Sequence, residues 1–119
     1  MPRDLRVYLY DIAEACALVG DFTRGKSADD YARDPLIRAG VERELEIVGE
    51  ALSQALRFHA AALSDQIPEA PRIIAFRNRL AHGYASVVDD VVWAIVEADV
   101  PVLGRRVDDL LTALGDRDT

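Results

Sequence analysis

The chain has 119 residues and a formal net charge of −7, with half of its residues hydrophobic and 29% charged. That size supports one domain around one core, and the ordinary globular balance argues against global disorder. The acidic total argues against a protein that coats nucleic acid through bulk positive charge, and apolar runs of only a few residues leave nothing to span a bilayer.

Met1-Pro2-Arg3-Asp4 leads straight into an amphipathic pattern and lacks the apolar block of a secretory signal, so a cytoplasmic protein is expected. The first predicted helix runs from about Asp4 to Val19, with Leu5, Leu9, Ile12, Cys16 and Val19 on one stripe and Gly20 as its stop. Cys16 is the only cysteine, which excludes an internal disulfide and a cysteine-based metal site; its place on the stripe makes it a core residue. Ser27 and Asp30 resemble a capping box for a short helix ending near Arg33. Asp34-Pro35 is a stronger start signal, an N-cap acid followed by a proline at the first helical position.

The longest helix follows, from about Pro35 to Ala61. Ile37, Val41, Leu45, Val48, Leu52 and Ala55 form its main stripe, and Leu36, Gly40, Ile47, Gly49 and Ala51 widen the apolar arc. Gly40 and Gly49 cost about 1 kcal/mol each in helix propensity relative to alanine, which is easiest to understand where another helix comes close. The broad arc therefore suggests a second subunit. Glu42, Glu44 and Glu46 read as a solvated face, whereas Glu50 could pair with an arginine near a cleft. Near the end of this helix, His59 reads as a structural or surface residue. A fourth helix, from about Pro71 to Ala81, carries Ile73, Ile74, Phe76 and Leu80 inward and ends at His82-Gly83. The last helical region spans about Val87 to Leu114, packs Trp93 and is kinked or restarted at Asp99-Val100-Pro101. Its β-branched first half also permits a strand, but three- and four-residue spacing favours helix.

The charge is uneven. Between Gln66 and Tyr84 three arginines (Arg72, Arg77, Arg79) face one acid (Glu69), and this basic segment holds the unusual run Arg77-Asn78-Arg79-Leu80-Ala81-His82-Gly83-Tyr84. On a helix, Asn78 and Arg79 lie four and three residues before His82, on its face. Arg77 lies five before it, rotated roughly 140° away, so the two converge only if the helix ends near Ala81 and His82 leaves at the tip. A second copy across a two-fold axis would widen the cleft to two arginines and two histidines. The pairing suits cleavage of an RNA phosphodiester: a neutral histidine takes the 2′-hydroxyl proton, a protonated one supplies the leaving oxygen, and an arginine fork stabilises the charge growing on phosphorus. Such a cut leaves a 2′,3′-cyclic phosphate and requires no metal, and no set of residues has metal-ligand spacing. From the residues alone, the same trio reads equally as a helix-end cation, a solvated arginine pair and a core-edge tyrosine.

Arg77-x4-His82-x-Tyr84 resembles the Arg-x4–6-His motif of HEPN-domain proteins, in the form typical of HepT toxins, and Asn78 matches the polar residue after the arginine. Three other segments are similar to the family: Arg43-Glu44-Leu45-Glu46-Ile47-Val48-Gly49-Glu50-Ala51, Pro71-Arg72-Ile73-Ile74-Ala75-Phe76, and Val92 through Pro101. Glu69-Ala70-Pro71 departs from it, standing where the family tends to have a Pro-Trp pair. The resemblance implies an all-α, four- to five-helix, up-and-down HEPN bundle that acts as a homodimer, formed by one domain over residues 1–119. It implies a metal-independent endoribonuclease toxin without a cofactor, in which Arg77 and His82 are catalytic and Asn78 and Arg79 support them. It also implies a type II or VII toxin–antitoxin pair, whose partner is an MNT-type nucleotidyltransferase antitoxin that transfers AMP to Tyr84. The alternative is a non-catalytic HEPN module that binds nucleotide or serves as the obligate partner and substrate of a nucleotidyltransferase; the acidic net charge leans that way.

Overall fold

The computed structural model describes residues 3–81 and 89–115, and all the regular structure among them is helical. The elements are α1 (Leu5–Thr23), α2 (Ala28–Arg33), α3 (Pro35–Leu63), α4 (Ala70–Ala81), α5 (Asp89–Ala94) and α6 (Val100–Ala113). A π-helical turn, Ile95–Asp99, joins α5 to α6 without a break, so the last two helices form one rod. The expected all-helical bundle is present, and the strand alternative for the Val91–Val96 region is overturned. α1 lies against α3 and α6, and α3 lies against α4. No helix among the described residues is long and apolar enough to cross a membrane.

The local signals act as chemistry requires. The Ser27 hydroxyl accepts from Asp30 N–H at 3.1 Å while the Asp30 carboxylate accepts from Ser27 N–H at 2.9 Å, closing a full capping box on α2. Asp34 Oδ1 accepts from the amides of Leu36 and Ile37 at 3.0 and 3.2 Å and starts α3, with Pro35 contributing no amide to satisfy.

Gly20 is not a stop. α1 runs one turn further to Thr23, whose hydroxyl donates to the Val19 carbonyl at 2.8 Å, and it is Gly25, at φ +73°, that follows the end of the helix. The extra turn carries Phe22 onto Gly40 of α3, where a Cβ would stand 3.2 Å from the ring. The α-helix restarts at Asp99-Val100-Pro101, as expected. The turn before it widens, Val100 N–H donates to Ile95 C=O five residues back, and Pro101 falls in the first turn of α6, where its missing N–H costs nothing.

The core is one cluster drawn from every helix. Leu9, Ile12, Val19, Val41, Leu52, Ala55, Val92 and Val107 are wholly buried in it. Burial pushes the Cys16 thiol up to about 12, with Asp108 adding to the shift, so this cysteine is an inert core residue as expected. Trp93 is buried too, with its ring 5.6 Å from that of Tyr31. The glutamates expected on a solvated face, Glu42, Glu44 and Glu46, are all half-buried, and the Glu42 carboxyl is pushed up first by burial and then by Asp89.

Candidate active site

Arg77 sits in the second half of α4, and its place is set from two sides. On one side is Gly49 of α3: a Cβ built there would overlap Cβ and Cγ of Arg77, so the stem of the arginine lies directly on the α3 backbone. The expected close approach at Gly49 is therefore real but lies within one chain, as does the one at Gly40, and neither glycine needs a second subunit. On the other side, α4 and its lead-in are tied to the final rod by side chains. Arg72 pairs with the nearly buried Asp99 in the π turn, and Arg106 Nε donates to Glu69 Oε2 at 2.9 Å. Glu69, where the sequence departs from the family pattern, thus anchors the start of α4.

The Arg77 guanidinium is held in a line of polar groups. Its Nη2 donates to Glu50 Oε1 and its Nη1 donates to Asn78 Oδ1 at 2.9 Å. The second Glu50 oxygen accepts from Gln54 Nε2 at 2.7 Å. Glu50 is therefore the acid that meets the arginine, as its position suggested, and Asn78 hydrogen-bonds Arg77 directly. Gln54 was not singled out from the sequence, although it stands four residues after Glu50 on the same face of α3. Two of the five guanidinium donors are engaged by described residues, and the side chain keeps 30% of its exposure. The planar fork is thus oriented yet still reachable by an anion.

Arg77 opens into a cleft of about 250 Å³ between α1, α3 and α4, lined also by Arg3, Asp11, Arg43, Glu46, Glu50 and Gln54. Arg79 is not part of it. It lines a separate cleft on the opposite side of α4 with Arg72, Phe76, Asp90 and Asp99, so the structure does not bring the two arginines of the motif together. His82 and Tyr84 lie outside the described residues; α4 is described up to Ala81, the residue before His82.

His59, read from the sequence as structural, has that part. A carbonyl can only accept, so His59 Nε2 donates to the Arg3 carbonyl at 2.9 Å, and its ring meets that of Tyr8 edge-on at 6.1 Å. The α3 backbone departs from helical geometry at His59 itself.

An all-helical bundle is the fold expected of HEPN proteins, and comparison with known proteins agrees on the family. The family model described as Ribonuclease HepT-like matches residues 12–110, and the chain belongs to that family. It is 36% identical to the Thermococcus cleftensis protein named "Probable ribonuclease HepT", over 92% of this chain and 98% of that one. It is 32% identical to a Methanocaldococcus jannaschii protein named "Putative RNase", over 89% of this chain and 95% of that one. A similarly named protein of Caldanaerobacter subterraneus is 28% identical over 89% of this chain. No solved structure gives a significant match.

Proposed function

We propose that this chain is a metal-independent endoribonuclease toxin, cutting RNA at a site where Arg77 and His82 act on one phosphodiester. The observation that carries the reading is the Arg77 fork: it is set by Gly49, Glu50 and Asn78, exposed to a cleft, and five residues before the one histidine of the motif. In this reaction neutral His82 takes the proton from a ribose 2′-hydroxyl, and the 2′-oxygen attacks the adjacent phosphorus. The spare N–H donors of Arg77 bind the phosphoryl oxygens as their charge rises. The 5′-oxygen leaves and takes a proton from a protonated histidine, and a 2′,3′-cyclic phosphate remains. A two-fold pair of chains supplies two arginines and two histidines, so one His82 serves as base while its counterpart serves as acid.

The same reading gives Tyr84 a switching role. Two residues beyond His82 in the sequence, it is the acceptor of AMP from an MNT-type nucleotidyltransferase antitoxin, and the added adenylate would bring bulk and negative charge to the spot an RNA phosphate must occupy. The mass of the chain purified with its partner, rising in steps of one adenylate and unchanged in Tyr84→Phe, tests this. The net charge of −7 and the Glu50 carboxylate on Arg77 favour a second reading, a non-catalytic module on which the nucleotidyltransferase acts. A cleavage assay on mixed cellular RNA separates the two. The unmodified wild type cuts and His82→Ala loses roughly 10²- to 10⁴-fold in rate. Equal cutting by both proteins removes His82 from the mechanism, and no cutting by either supports the module.

A further inference from the structure

The Arg77 cleft holds two more arginines that the motif does not include. Arg43 lies on α3 seven residues before Glu50, about 10 Å along the helix axis on the same face, in the stripe Arg43, Glu46, Ile47, Glu50, Gln54. Arg3 comes from the opposite wall, ahead of α1, and is fixed there: His59 donates to its carbonyl, and its guanidinium carbon lies 5.2 Å from the centre of the Tyr8 ring.

The way these arginines are paired sets them apart from those that hold the fold. Arg72 and Arg106 bond carboxylates that are nearly buried, with Asp99 and Glu69 only 12% and 14% exposed. Arg3 and Arg43 make longer contacts, 3.4 Å to Asp11 and 3.8 Å to Glu46, and remain 51% and 70% exposed. Such pairs are weak and readily exchanged. A phosphodiester oxygen that takes the carboxylate's place on the fork gains a charge-assisted, bidentate contact.

Resting on the ribonuclease reading, we propose that Arg3 and Arg43 are phosphate-positioning residues, which hold neighbouring phosphates of a single RNA strand in the cleft that Arg77 enters. Each arginine faces one carboxylate, so the empty cleft is close to neutral, and a strand with several phosphates engages several forks at once where a lone anion engages one. This also accounts for how a chain with a net charge of −7 can bind RNA: in this cleft three arginines offset three carboxylates, so the acidic excess lies elsewhere on the chain.

The test uses a short single-stranded RNA and the His82→Ala protein, which binds without cutting, with Arg3→Ala or Arg43→Ala added. Both side chains are more than half exposed, so the fold is retained. The slope of log K against log salt falls by about 0.7 for each arginine removed. In the cutting protein, KM rises while kcat holds. Arg24→Ala, just past the far end of α1 and paired with Asp21, keeps the wild-type slope and KM. If Arg3→Ala and Arg43→Ala match Arg24→Ala while the wild type cuts RNA, the positioning role is wrong and the ribonuclease reading stands. If the wild type neither binds nor cuts RNA, both fall. Weakened self-association with an unchanged salt slope assigns the cleft to a subunit contact and overturns the proposal.

Discussion

Replacing Gly49 with alanine is expected to lower stability by about 3 kcal/mol, at the upper end of what overpacking costs. In a chain of this size that is a fall of roughly 10 °C in thermal midpoint. The added Cβ has no flexible neighbour to push aside, because it overlaps Cβ and Cγ of Arg77, next to the α4 backbone. Relief requires α4 to move off α3, which displaces the guanidinium as well, so any catalytic activity should fall with stability. Two other glycines make internal controls. At Gly40 the new Cβ meets only the edge of the Phe22 ring at 3.2 Å, and a small ring shift offsets the helix-propensity gain, leaving a change near zero. At Gly20 a Cβ meets nothing within 4 Å in the last turn of α1, so Gly20→Ala should stabilise by up to about 1 kcal/mol. Thermal or urea unfolding of the three variants checks the order: Gly20→Ala above wild type, Gly40→Ala level, Gly49→Ala far below.

Replacing Arg77 with alanine is expected to reduce RNA cleavage by roughly 10²- to 10³-fold, mostly in kcat, because the fork acts on charge that develops in the transition state. Folding should survive. Alanine keeps the Cβ that lies on Gly49, and Glu50 is left 46% exposed and still bonded to Gln54, so no buried charge is stranded. Arg77→Lys keeps the charge but not the planar fork held between Glu50 and Asn78, so it should recover only a minor part of the rate. Single-turnover kinetics beside a melting curve distinguish this from damage to the fold. A loss of rate matched by a loss of structure would place Arg77 in the scaffold alone.

Much of the architecture was legible from neighbouring residues. Ser27 with Asp30 and Asp34 with Pro35 are local devices whose partners lie within three residues, so their chemistry stands in the sequence and reappears in the hydrogen bonds. Pairings across the chain were only partly legible. Glu50 was readable as a candidate partner for an arginine because it sits within the Arg43–Ala51 segment that resembles the family's long helix. The role of Gly49 was half legible: a glycine in a long helix signals a close approach, but not whether the approaching helix comes from the same chain. Gly20 misled because a glycine in a helix and a glycine after one look alike until Phe22 is seen to need one more turn to reach Gly40. Pro101 was legible as a restart: the π turn ends at Asp99 and α6 begins at Val100, although the widened turn itself left no mark in the sequence. Arg79 shared the motif with Arg77, yet two residues of helix turn it to the opposite side of α4. Arg3, carried to the cleft by His59, lies 74 positions from Arg77 by residue number, and no spacing rule connects them.

The ends that the protein leaves on a cut RNA report the mechanism most directly. Purified, unmodified chain incubated with RNA in excess chelator should yield fragments with a 2′,3′-cyclic phosphate on one side and a 5′-hydroxyl on the other, read by mass spectrometry. Fragments ending in 3′-hydroxyl and 5′-phosphate, or cutting that stops when the chelator is added, would contradict proton transfer by His82 with charge stabilisation by Arg77.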